Sequence, residues 1–222
     1  ASLPAFNAFD AFAMMILILV VLAIHELGHL IGGFSRGMRF LLFIVGPFQW
    51  IKTSDGIRFS LVFNLGSFGG LAAALPDPDR EFSPQMKRLV IGGPLASVLL
   101  TMVCVSIGML LPGKPGFYFY FVGGFSFLIF LVTAIPFRAG GFMSDGMQLL
   151  ELMRGGVGVE ERQTIINLMM QSMAGTRPCD LDQNVIERML KFESLDPMRQ
   201  VIARFYAYLS KTDRGEQEPA SR

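Results

Sequence analysis

The sequence predicts a mainly α-helical, multi-pass membrane protein: a three-span helical core, a membrane-associated β-hairpin insertion and a small helical cytoplasmic C-terminal region. Three observations carry that reading. The 222 residues are 52% hydrophobic and only 17% charged, where soluble domains carry about a quarter charged residues. Three stretches reach the roughly 20 apolar residues that a helix needs to cross a bilayer. The basic residues, finally, are unevenly divided among the segments joining those stretches. Disorder, a collagen-like repeat and a basic nucleic-acid binder are excluded, and no nucleic-acid motif is present. Cys104 and Cys179 are too few for a disulfide framework and read as free thiols.

The first span, residues 11–34, has Glu26 as its single acid. It lacks a basic leading region and is too long an apolar run for a signal peptide. The second span, 89–111, carries no charge, and the third, 115–137, lies charge-free between Lys114 and Arg138. The 35–88 connection holds seven Lys and Arg, the chain from Arg138 onward holds eleven, and the 112–114 link holds Lys114 alone. By the positive-inside rule the 35–88 connection and the tail are cytoplasmic and the N-terminus lies outside, in the cell membrane.

Within 35–88, residues 41–45 and 57–63 read as strands around a Thr53-Ser54-Asp55-Gly56 turn, since Asp-Gly between branched and aromatic runs signals a hairpin. The glycine-rich run 64–75 reads as re-entrant or interfacial, so the insertion spans about 40–75. Residues 1–155 thus form the core and 156–209 a polar helical tail, with helical periodicity over 160–173 and 183–193. Asp196-Pro197 is a helix-start pair for a last helix expected to bury Met198, Val201, Ile202, Phe205 and Leu209. Residues 210–222 read as a solvated, disordered end.

The chemistry concentrates in His25-Glu26-Leu27-Gly28-His29, which has the H-E-x-x-H spacing of a zinc site. Residues i and i+4 share a helix face, so both imidazoles can turn to one ion, and Glu26 stands beside them as a general base. These are the chain's two histidines; by composition the pairing is a coincidence on the order of a few in ten thousand. Ionisable groups inside a span are costly and tend to be functional.

Catalytic zinc normally takes three protein ligands and keeps a position open. No third histidine exists, and Cys104 lies mid-span, which points to a carboxylate. Between Glu81 and Glu151 the chain has one acid, Asp145. The first and third spans run the same way, so Asp145 and the two histidines are expected at the same end of the core. Two alternatives stay open: Asp145 as a helix cap, and a different type of membrane metallopeptidase in which Glu151, in a downstream helix, is the third ligand.

The chain resembles the site-2 protease family of intramembrane zinc metalloproteases. The resemblance rests on His25–His29, on Gly93-Pro94-Leu95-Ala96-Ser97, and on Thr133-Ala134-Ile135-Pro136 followed by Asp145-Gly146, over roughly residues 15–155. It implies one Zn2+ per chain held by His25, His29 and Asp145, with Glu26 activating water. It also implies a membrane-anchored protein or precursor peptide as substrate, received by strands of the hairpin. The family's asparagines are Ser97 and Thr133 here, in positions associated with substrate positioning and the oxyanion, and the Pro136–Asp145 spacing is longer than the commonest version. Those departures support a second reading, a weak or inactive zinc-holding membrane protein that acts as a regulatory or binding module.

Overall fold

A computed structural model of the protein describes residues 7–63, 69–139, 142–191 and 197–216. It is mostly helical and divides into two compact units, 1–137 with 143–150, and 138–142 with 151–222.

The first unit is built on α1 (Ala8–Phe34), α2 (Phe82–Leu110) and α3 (Gly113–Ala134), each long and apolar enough to cross a membrane. At 1.5 Å per residue all three exceed the roughly 30 Å of a hydrocarbon core. Each starts or ends a few residues from its sequence-expected bounds. Helical bonding extends α1 and α2 into polar flanks that hydropathy does not register.

Asn7 caps α1 by accepting from the Asp10 N–H, while the Asp10 carboxylate accepts from Asn7 N–H. Asp10 also takes bonds from Lys114 Nζ at 2.8 Å and Tyr118 OH at 2.5 Å. That cluster places the starts of α1 and α3 side by side, so the two helices run in parallel, and α2 packs against both. The α1–α2 approach is close: a Cβ on Gly28 would collide with the Gly92 carbonyl, and one on Gly92 with the Gly28 carbonyl. Small residues permit such contacts where lipid leaves helix association to packing. Few residues of these apolar stretches are fully buried in the protein, and many of their large apolar side chains are exposed.

Between α1 and α2 lies a four-stranded antiparallel sheet in the order β3-β2-β1-β4. Its strands are β1 (Arg39–Val45), β2 (Phe48–Thr53), β3 (Gly56–Leu61) and β4 (Gly70–Leu75). The expected turn at Thr53–Gly56 is present, but the expected single hairpin is corrected. Residues 41–45 pair with β2 and β4, not with 57–63. The β1–β2 turn is Gly46-Pro47, where Gly46 has φ 54° and proline fixes the next φ, a pattern suited to a type II′ turn. The β2–β3 turn is tipped by Ser54-Asp55, and Gly56, at φ 135°, opens the following strand. In place of a re-entrant run, Gly70–Leu75 is a strand; residues 64–68 lie outside the described residues.

Phe43, Trp50 and Phe59 stand in register across three strands, with ring centroids 5.6 and 5.0 Å apart, and stitch that face together.

In the second unit α5 (Val157–Met173), α6 (Gln183–Lys191) and α7 (Pro197–Asp213) enclose Ile165, Leu168, Leu181, Ile186, Met189, Ala203 and Tyr206. The buried face of α7 differs in part from the expected one: Ile202 packs against this cluster as expected. Ala203, Tyr206 and Ser210 are buried, whereas Val201 and Phe205 are exposed. The cause is polar: Ser210 Oγ exchanges bonds with Gln183 at 2.8 and 3.1 Å and turns that face inward. The helix does not end at Ser210 but runs to Asp213, whose carboxylate accepts from Arg177 and from the Cys179 N–H. Asp196 and residues 217–222 lie outside the described residues, as does the side chain of Met198. Cys104 and Cys179 are free.

Candidate metal centre

The H-E-x-x-H segment occupies the last three turns of α1, where His25, Glu26 and His29 are all buried. Helical spacing turns both imidazoles to one side, with Nε2 atoms 3.2 Å apart and rings nearly perpendicular at 88°. Asp145 Oδ2 completes a triangle, 3.3 Å from His25 Nε2 and 3.4 Å from His29 Nε2.

Asp145 reaches this point because the chain after α3 is clamped. Ser144 Oγ donates to the Ile135 carbonyl at 2.7 Å and accepts from Phe137 N–H at 3.0 Å. Ser144 N–H donates to the Phe137 carbonyl at 3.1 Å. Gly146 packs directly on the Ala134 carbonyl, where any Cβ would collide. Asp145 then opens α4 (Asp145–Arg154).

The donor set fits zinc. Bonds of about 2.0–2.2 Å in a tetrahedral array place ligand atoms about 3.3–3.6 Å apart, and the three edges are 3.2, 3.3 and 3.4 Å. Asp145 Oδ2 is buried without a hydrogen-bond partner, a costly state for a carboxylate unless a cation meets it.

The histidine tautomers agree. The Leu89 carbonyl, 2.8 Å from His29 Nδ1, can only accept, so Nδ1 carries the proton and Nε2 keeps its lone pair. Ser97 Oγ lies 2.9 Å from His25 Nδ1, where the hydroxyl oxygen can accept the corresponding proton. Among the described residues this is the one His/Cys/Asp/Glu group whose donor atoms converge as a metal site would need.

The model of peptidase family M50 matches residues 12–216. The chain belongs to peptidase family M50. This is the site-2 protease family of zinc-dependent metalloproteases, and membership together with the three apolar helices marks an integral membrane protein. Neither the curated proteins nor the solved structures gave a match.

The remaining expected residues of this M50 chain fall into place differently. Ser97 is fully buried behind the His25 ring, on the Nδ1 side, not at the open side of the triangle. Thr133 turns back on its own helix, with Oγ1 3.5 Å from the Phe130 carbonyl. Glu151 belongs to the second unit, where Arg199, Arg138 and Arg162 hold its carboxylate at 2.7, 3.1 and 3.4 Å. Its charge is already matched there.

Several contributors escaped sequence reasoning. The Leu89 carbonyl is backbone and has no residue signature. Gly93 leaves room for the His29 ring, and Gly70 and the Ala72 N–H face the Glu26 carboxylate from β4. The signal for these was the density of Gly and Ala in 69–74 and 92–96.

Proposed function

We propose that this M50 chain is an intramembrane zinc endopeptidase that hydrolyses a peptide bond of a membrane-anchored protein or precursor peptide. The observation that carries the reading is the triangle of His25 Nε2, His29 Nε2 and Asp145 Oδ2 beside the Glu26 carboxylate. A bound zinc supplies Lewis acidity toward the scissile carbonyl and makes water a stronger acid.

Glu26 takes a proton from the attacking water as its oxygen bonds to the carbonyl carbon. It then returns that proton to the leaving nitrogen as the C–N bond breaks. His25 and His29 keep their Nδ1 protons throughout, held by Ser97 and Leu89. Burial of Glu26 keeps bulk water from competing for its proton.

A helical substrate satisfies its own backbone, so it must unwind before it is cut. The edge strand β4 lies against Glu26, and an extended segment adding to its outer edge would run past the base. This reading moves the receiving strand from the 41–63 hairpin to β4. The N-terminus lies outside and the second unit in the cytoplasm, following the basic residues.

The test uses wild type, Glu26→Gln and Asp145→Asn on a fluorescent transmembrane peptide in proteoliposomes, with metal analysis. Wild type should hold about one zinc per chain and cleave; Glu26→Gln should hold zinc and not cleave. Equal cleavage by both would remove Glu26 as base. Zinc binding with no cleavage by either would make the chain a zinc-holding module.

A further inference from the structure

A cavity of about 310 Å³ opens between α2, α3 and the first turns of α4, entirely within the first unit. Val90, Pro94 and Val98 line it from α2, Phe130 and Ala134 from α3, and Leu149 from α4. The one ionisable residue in its wall is Asp145, whose Oδ2 meets both histidines. The cavity therefore adjoins the metal centre.

We propose that this cavity is a specificity pocket for a large apolar side chain, Leu, Met or Phe, of a residue flanking the scissile bond. The proposal rests on the endopeptidase reading above. Its volume is at the lower end of ligand pockets and suits one large side chain with its flanking backbone. A neutral polar side chain would leave water for a wall without partners. An acidic one would face Asp145, and a basic one would compete for the carboxylate that completes the triangle. A carbonyl lying at the triangle has its neighbouring side chains a few ångströms away, within reach of this wall. Ile91 and Leu95, both exposed, mark the rim, so the side chain can enter from the side of the helices.

The test varies the residue on each side of the scissile bond among Phe, Leu, Ala, Asn, Asp and Lys in a transmembrane peptide. Wild type should favour Phe or Leu over Ala by about 10–100-fold in kcat/KM at one of the two positions. Val98→Phe, which fills the cavity, should lower kcat/KM for the Phe and Leu peptides and so remove most of that preference. Val98→Ala, which enlarges it, should shift preference toward Phe over Leu. Cleavage that depends on Glu26 but is blind to the flanking side chains overturns the pocket and leaves the protease intact.

A second arm does not need turnover. A benzoylphenylalanine placed in turn at each position of the transmembrane peptide should, from at least one position, photo-cross-link Glu26→Gln protein within 90–98, 130–134 or 145–149. Adducts confined to other segments, or to lipid, overturn the proposal. Absence of cleavage in wild type sinks the endopeptidase reading, while the cross-link still decides the pocket.

Discussion

Ser97 Oγ sits 2.9 Å from His25 Nδ1, on the ring edge opposite the nitrogen that meets Asp145. The serine carbonyl is itself held by Thr101 Oγ1 and Ser126 Oγ, each at 2.9 Å. The imidazole thus meets a hydroxyl whose own backbone is fixed in turn. Loss of such an outer partner typically costs about 10–100-fold in metal affinity. Ser97→Ala is expected to weaken zinc by that factor in chelator competition, with the fold retained. An affinity within twofold of wild type would show that the hydroxyl does not orient His25.

Gly70 addresses the base and not the ligands. A Cβ there would press on the Glu26 carboxylate, and misplacing a catalytic group by about 1 Å can cost on the order of 10² in rate. Gly70→Ala should therefore lower kcat by about that factor while zinc content stays at the wild-type level. Loss of zinc together with rate would mean that β4 supports the whole centre.

Asp145 and Glu151 are six residues apart on one helix and are expected to fail differently. Asp145→Asn removes the anionic oxygen from the triangle and should lose zinc. Glu151→Gln should keep zinc but remove the charge that meets Arg199, Arg138 and Arg162, of which Arg199 retains Glu161; breaking a buried pair costs about 3–5 kcal/mol. Thermal unfolding and metal analysis on both variants separate the two. Zinc loss in Glu151→Gln with retention in Asp145→Asn would reverse the ligand assignment.

Asp213, at the end of α7, is held at about 2 by the Arg177 guanidinium at 2.9 Å, helped by the Cys179 thiol and N–H. A carboxyl lowered from 3.8 in the folded state adds stability above its unfolded value and loses it as pH falls through its folded one. The contribution should be complete above pH about 4 and gone below about 2. Carboxyl NMR of Asp213 should titrate near 2 in wild type and move toward 3.8 in Arg177→Leu. An unmoved midpoint would show that the pair does not form.

The centre was readable in the sequence because its chemistry uses rare residues. Two histidines and a single acid between Glu81 and Glu151 leave little freedom in who pairs with whom. Hydropathy likewise exposed α1, α2 and α3, since lipid-facing helices are apolar around most of their girth. What stayed hidden depended on partners. The strand β4 is Gly-Leu-Ala-Ala-Ala-Leu, without the branched and aromatic residues that mark strands, because it has to lie close against α1 and Glu26. The turn at Gly46-Pro47 concealed β2, since one hairpin signal at 53–56 already accounted for the region. On α7, Val201 and Phe205 outrank Ala203 and Ser210 in hydropathy, yet the Gln183–Ser210 pair decided which face turned inward.

The clamp at Ser144 has a consequence for tracing ancestry. Its bonds to Ile135 and Phe137, with Gly146 seated on Ala134, join the two ends of the stretch that follows α3. The place of the carboxylate is therefore set by what joins the two ends of this excursion, Ser144 and Gly146 with their partners, and not by the count from Pro136 to Asp145. Relatives are better sought by what closes the excursion, a hydroxyl before the aspartate and a glycine after it, than by its length.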